Sequence, residues 1–395
     1  VAASLADVDR LLSPQGWPYA SAEPVDAGDP GRFHALFGRD AAITSLQLLP
    51  VRPDIARATL RALASLQGTV DDSETEEEPG KIVHEWWPRA PERLRRAGWP
   101  IRDGALRYYG SADSTSWFLV LIASLEDRSL AAELEGAWRA AGEWLLEALV
   151  RGDGLVRHGP RRGTGGLAQQ GWRDAEDPAD PAHHGAGILT ADGEVPEAPL
   201  ADADTQAVTV VALRSLALLS GEERWNEEAA RLKAAIADAF DPDTVAIEAG
   251  GGKVPGAGSH LGWLLWADAL PAAGRDAVAT RACEPDVLTP WGLRTLSRAH
   301  PLFAPDAYHR GAVWPFDSWL GWSGLRAAGR LEIAEPLRRG VLAAIESIGE
   351  APELFAVRAD GPEPIAIANR VQAWTLGATW ALEHEWDGRS AGLFR

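Results

Sequence analysis

The chain has 395 residues, 46% apolar and 24% charged, with a net charge of −19 and one cysteine, Cys283. That balance belongs to a globular protein with a large core, built as two domains or one large repetitive one. The charge argues against nucleic acid and anionic membrane as partners, and the lone cysteine excludes an internal disulfide or a thiolate metal cage and fits a reducing compartment.

No apolar run reaches the roughly 18 residues of a membrane span, and the opening VAASLADVDR lacks the basic-then-apolar order of a signal peptide, so a cytoplasmic protein without membrane contact is expected. Met is absent even at position 1. Trp occurs 18 times against 4 Tyr and 8 Phe, an excess that suits carbohydrate platforms as well as core filling.

The helical patterns come in pairs. Ala41–Leu49 is followed by Pro53–Gln67, where Pro53 suits a first helical turn. Ser114–Leu125 precedes Leu130–Val150, which has one apolar stripe and Gly152 just past its end. Thr205–Leu219 with Glu222–Phe240, Ser259–Leu270 with Ala272–Ala282, and Ala312–Ala328 with Ile333–Ile348 repeat the scheme, and Arg370–His384 comes last. Strand-like alternation is nearly absent.

First members start near residues 41, 114, 205, 259, 312 and 370, each after a long Gly/Pro/Trp-rich segment, while the link within a pair is short. Six inner helices with outer partners would set every long segment on one rim. The pattern predicts an all-α fold, a toroidal (α/α)6 barrel forming a single domain over 1–395, with its functional face at the long-loop end. Gln67–Asp113 and Gly152–Asp204 exceed the roughly 15 residues of an unstructured loop, yet Trp86, Trp87, Trp99, Tyr108, Tyr109 and Trp172 argue that they pack. The acidic run Asp71–Glu78 reads as a solvated loop.

The rim segments carry the candidate chemistry. In L-F-G-R-D, Asp40 sits where an N-cap is expected beside Phe37 and Arg39, and an Arg–carboxylate pair at a helix mouth can grip two sugar hydroxyls. K-I-V-H-E-W-W-P-R offers His84, Glu85 and Trp86 as a subsite wall and lacks the second His of a zinc motif. Y-Y-G-S-A-D brings Tyr109 near Asp113, and Q-Q-G-W-R-D-A-E-D sets Trp172 against Arg173 and Asp174. Asp204 is expected to cap the following helix, with His260 facing the rim after Ser259.

Y-H-R-G-A-V-W-P-F-D supplies His309, Trp314 and Asp317, and Gln372 and Trp374 enter the final helix. In A-P-E-L-F, Glu353 lies in a Pro-bounded apolar loop that raises a carboxyl pKa or leaves it poised as a base. Glycosidic bond cleavage needs one carboxylic acid and a second carboxylate. The rim offers many acids, and spacing alone does not choose the pair.

Together these motifs, in order from Phe33 to Trp380, resemble the amylo-α-1,6-glucosidase (glycogen-debranching-type) glycoside hydrolases of the six-hairpin superfamily, with a more distant likeness to the glucosylglycerate hydrolase group. The resemblance implies an inverting exo-acting α-glycosidase for a terminal α-glucosyl linkage, α-1,6 among the candidates. Asp174 would be the acid, Glu353 the base, and Arg39 and Asp40 the innermost sugar grip. It implies no cofactor and no metal, and does not fix an oligomeric state.

Three departures stand out: Ala175 replaces the Ser that usually follows the acid, Phe316 replaces His in W-P-H-D, and H-E-L-R becomes H-E-W-W-P-R. An N-terminal β-rich domain of longer relatives is expected to be absent, which favours a short oligosaccharide or small glycoside. The rival readings are an epimerase or isomerase using His84, His260 or His309, and a non-catalytic carbohydrate-binding protein.

Overall fold

The computed structural model describes residues 5–23, 32–161, 165–390 and 392–394; Val1–Ser4 of the opening stretch lie outside the described residues. In chain order the helices are α1 (Leu5–Asp9), α2 (Gly38–Gln47), α3 (Pro53–Ser65), α4 (Glu92–Arg96), α5 (Ser114–Ser124), α6 (Arg128–Glu133) and α7 (Glu135–Arg151). They continue with α8 (Ala203–Ser220), α9 (Arg224–Ala239), α10 (His260–Trp266), α11 (Ala272–Ala282), α12 (Pro315–Ala327), α13 (Leu331–Ile348) and α14 (Ala373–Glu383).

Six of them pack side by side in a closed circuit: α2 on α5, α5 on α8, α8 on α10, α10 on α12, α12 on α14, and α14 back on α2. Outside this ring α3 lies on α2, α7 on α5, α9 on α8, α11 on α10 and α13 on α12. The two layers differ as their sequences require. Every residue of α2, α5 and α10 is buried, so these helices are enclosed all round, whereas α3 buries Ile55, Ala56, Thr59, Leu60 and Leu63 on a single stripe.

The paired helices agree with the sequence pattern in place and differ in detail. The expected Leu130–Val150 is split at Leu134 into α6 and α7. α10 ends at Trp266, short of the expected Leu270, because Asp268 adopts positive φ. Two capping assignments change. Phe37, not Asp40, is the N-cap of α2, and Asp40 sits in its first turn. Asp202, not Asp204, caps α8, accepting from the Thr205 N–H at 2.8 Å.

The all-α expectation needs one amendment, four small antiparallel sheets. β1 (Leu36–Phe37), β2 (Glu85–Trp87) and β3 (Leu106–Tyr108) form one; β4 (Ala201–Asp202), β5 (Thr244–Ile247) and β6 (Lys253–Pro255) another. β7 (Leu288–Thr289) pairs β8 (Gly292–Leu293), and β9 (Phe355–Arg358) pairs β10 (Gly361–Pro364). Strands of two to four residues are too short to show an alternating pattern.

The long segments are packed. The acidic run is not a solvated loop throughout: Thr75, Glu76 and Glu78 are buried, and Glu78 pairs with Lys81 at 3.4 Å and Arg151 at 2.5 Å. Among the described residues no helix is long and apolar enough to cross a membrane.

Candidate active site

A cavity of about 370 Å³, within the range of small-molecule sites, opens at the N-terminal ends of α2, α12 and α14. Arg39 and Asp40 come from the first turn of α2, Trp314 is the N-cap of α12, and Trp374 is the second residue of α14. Gly38 makes the approach possible: its N–H donates to the His84 carbonyl at 2.8 Å, and a Cβ there would stand 2.2 Å from the Val83 carbonyl oxygen. The start of α2 is thereby seated on β2.

Asp174 is the last loop residue of a hairpin closed by Gln169 and Ala175, whose backbones bond each other both ways at 3.2 Å. The hairpin is anchored from below. The Gln170 N–H donates to His158 Nδ1 at 3.0 Å, and His158 Nε2 meets Asp202 Oδ2 at 2.8 Å, which fixes the Nε2–H tautomer. Asp202 lies so close that a Cβ on Gly171 would stand 2.8 Å from its Oδ2.

Arg39 ties this hairpin to α2, donating to the Gly171 carbonyl at 3.0 Å, to Asp113 at 3.1 Å and to Asp174 Oδ2 at 2.5 Å. Burial pushes the Asp174 carboxyl up to about 6 although Arg39 pulls it down.

Glu353 enters from the link between α13 and β9. Its Oε1 accepts from the Tyr308 hydroxyl and its Oε2 accepts from the Asn369 backbone N–H and Nδ2–H, each at 3.0 Å. Burial pushes Glu353 up to about 7 against the pull of these donors. Asp40 is pushed up to about 7 and Glu85 to about 8, again by burial first. His84, Nε2 4.0 Å from Asp174, and His309, stacked on Trp314 at 5.2 Å, are held neutral by burial and by nearby arginines.

Of the residues singled out in the sequence, Phe37, Arg39, Asp40, His84, Glu85, Trp172, Asp174, His309, Trp314, Glu353 and Trp374 line the cavity. Seven others do not. Trp86 points away and packs on Trp17 at 6.0 Å, because successive residues of β2 face opposite sides and Glu85 and Trp87 take the inner one. Tyr109 is buried, its hydroxyl donating to the Leu66 carbonyl at 2.7 Å, and Asp113 lies beneath Arg39. Arg173 is turned under the hairpin onto Asp204 at 3.1 Å and Ser259 at 3.0 Å, while Asp317 accepts from Trp263 Nε1 at 2.6 Å. His260 does not face the rim; it is fully buried with both ring nitrogens unpartnered. Gln372 stands behind Asp40 at 3.5 Å.

Phe316 also lies outside the lining and stacks at 3.9 Å beneath Trp374, so this replacement shapes the wall's backing, whereas Ala175 faces the cavity. Tyr308, Asn369 and His158 were not singled out from sequence. Tyr308 had a signal, adjacency to His309 in its motif; the other two lie in loops with no local mark. Among the described residues no group of three or more His, Cys, Asp and Glu is placed to hold a metal ion.

A ring of helices with buried carboxyls gathered at one end is the arrangement of a helical glycoside hydrolase. Residues 38–355 match the mannosylglycerate hydrolase MGH1-like glycoside hydrolase domain, and the chain belongs to that family. The six-hairpin superfamily inferred from the motifs fits, and the matched family within it is the MGH1-like one.

Similar solved structures include GH63 mannosylglycerate hydrolase from Thermus thermophilus in complex with Tris and D-glycerate, at TM-score 0.69 and 16% identity, covering 97% of this chain and 99% of that one. The same enzyme in complex with glucose matches at TM-score 0.67 and 15% identity, again over 97% and 99%. No curated protein matches the sequence.

Proposed function

We propose that the chain is an inverting, exo-acting α-glycosidase on an (α/α)6 barrel that removes a terminal α-glucosyl or α-mannosyl unit from a small glycoside. The observation that carries this reading is that Asp174 and Glu353, from loops far apart in sequence, face one cavity, and burial raises the pKa of both. Asp174 protonates the leaving oxygen, and Glu353 deprotonates a water that attacks the anomeric carbon from the opposite side. Inversion requires the two carboxyls to stand roughly 6.5–9.5 Å apart. Arg39 and Asp40 hold hydroxyls of the non-reducing sugar, with Trp172, Trp314 and Trp374 as walls.

Glucose in one complex of the solved relative and D-glycerate in another supply two probes, α-glucosides and glycerate glycosides. The test is turnover of an α-glucoside and α-mannoside panel by wild type, Asp174→Asn and Glu353→Gln, with the product anomer read by NMR. Each variant is expected to lose about 10²–10⁴-fold in turnover, with the inverted anomer appearing first in the wild type. Near-wild-type rates in both variants would end the assignment.

A further inference from the structure

We infer that the leaving-group side of this cavity takes an apolar aglycone, an alkyl or aryl group, rather than a second sugar. The inference rests on Asp174 being the proton donor, because the donor's side of the cavity is where the leaving group lies.

From Asp174 outward the wall is continuous. His84 stands 4.0 Å from Asp174, the Phe37 ring meets His84 edge-on at 5.6 Å, and Phe37 in turn meets Phe33 at 5.4 Å and Trp87 at 6.1 Å. Trp87, Leu94, Trp99 and Leu167 then complete it, and with Phe37 and Phe33 they belong to one apolar cluster separate from the barrel core. Trp87, Leu94 and Trp99 of that cluster come from β2, α4 and the chain after it, the stretch that begins at H-E-W-W-P-R.

The charged side chains on this side are Arg32, Glu85, Arg93, Glu176 and His183. Arg93 donates to the Arg32 carbonyl and lies 5.0 Å over the Trp87 ring, with Glu85 and Glu176 opposing its charge. Glu85 accepts from Trp87 Nε1 at 2.5 Å. An aglycone here meets mostly ring faces and aliphatic edges, so a second sugar would lose more water than it regains in partners.

The experiment compares methyl, butyl and octyl α-glucosides and α-mannosides, all below micelle-forming concentration, with the glycerate glycoside of the same sugar. Alkoxide leaving groups differ little in basicity along the series, so chain length reads burial rather than leaving-group chemistry. In the wild type kcat/KM is expected to rise by up to about fourfold per methylene until the wall is covered. Leu94→Ala, and Trp99→Ala if it folds, should flatten the series.

A flat or falling wild-type series, or a glycerate glycoside preferred over the octyl glycoside, overturns the inference while leaving hydrolysis intact. If no glycoside is turned over, the hydrolase reading fails and the wall is judged by binding alone. Dissociation constants from calorimetry that fall with chain length support it, and constant or unmeasurable binding overturns it.

Discussion

At Asp174 the resting site holds its proposed acid in a bond that favours the ion. Arg39 donates to the carboxylate at 2.5 Å, while burial pushes Asp174 up to about 6 and Glu353 up to about 7. A bell-shaped pH dependence of kcat/KM is expected, with limbs near 6 and 7 and a maximum between them. Glu353→Gln removes the group that must be ionised, so it should abolish the acid limb of whatever activity remains and leave only a fall with rising pH set by Asp174; a surviving acid limb would show that Glu353 is not the base.

Glu85 permits a second test. Its folded pKa of about 8 exceeds the unfolded value of about 4.3, so the folded state binds the proton more tightly and loses stability as pH rises from about 4 to about 8. Glu85→Gln removes that slope, and its Tm relative to wild type is expected to climb between pH 5 and pH 8; a constant difference would show that Glu85 ionises normally.

At the scale of elements the site depends on how closely α2 approaches β2. Gly38→Ala places a methyl 2.2 Å from the Val83 carbonyl, and is expected to cost about 1–3 kcal/mol in denaturant unfolding and to depress turnover by displacing Arg39 and Asp40. Unchanged values for both would mean that the two elements can part without consequence. The helix pairs were legible in the sequence because a 3.6-residue period survives over long segments.

What escaped was shorter than a period. The three residues of β2 cannot show that Glu85 and Trp87 face inward while Trp86 faces out, and a run such as A-D-A-D presents Asp202 and Asp204 as equal candidates for one cap. The donors on Glu353 were invisible for another reason. Tyr308 and Asn369 come from separate loops and meet the base only through the fold.

Across the whole molecule one apolar cluster runs from Trp17 to Leu393 and includes buried residues of all six ring helices. Eighteen Trp are distributed accordingly: Trp87, Trp99, Trp172, Trp314 and Trp374 line the cavity, and Trp117, Trp263, Trp266, Trp319 and Trp322 fill the core. A cluster that joins all six ring helices predicts that the ring unfolds in one cooperative transition, with near- and far-UV circular dichroism changing together; separated midpoints would reveal a second unit.

The seam between α2 and α14 bears on synthesis as well. A chain leaving the ribosome presents Arg39, Asp40 and then Asp174 long before Glu353 and Asn369, and the last ring helix follows them. Until that helix lands the nascent protein has no closed ring, so under the mechanism proposed above hydrolysis begins only after the last ring helix has been made.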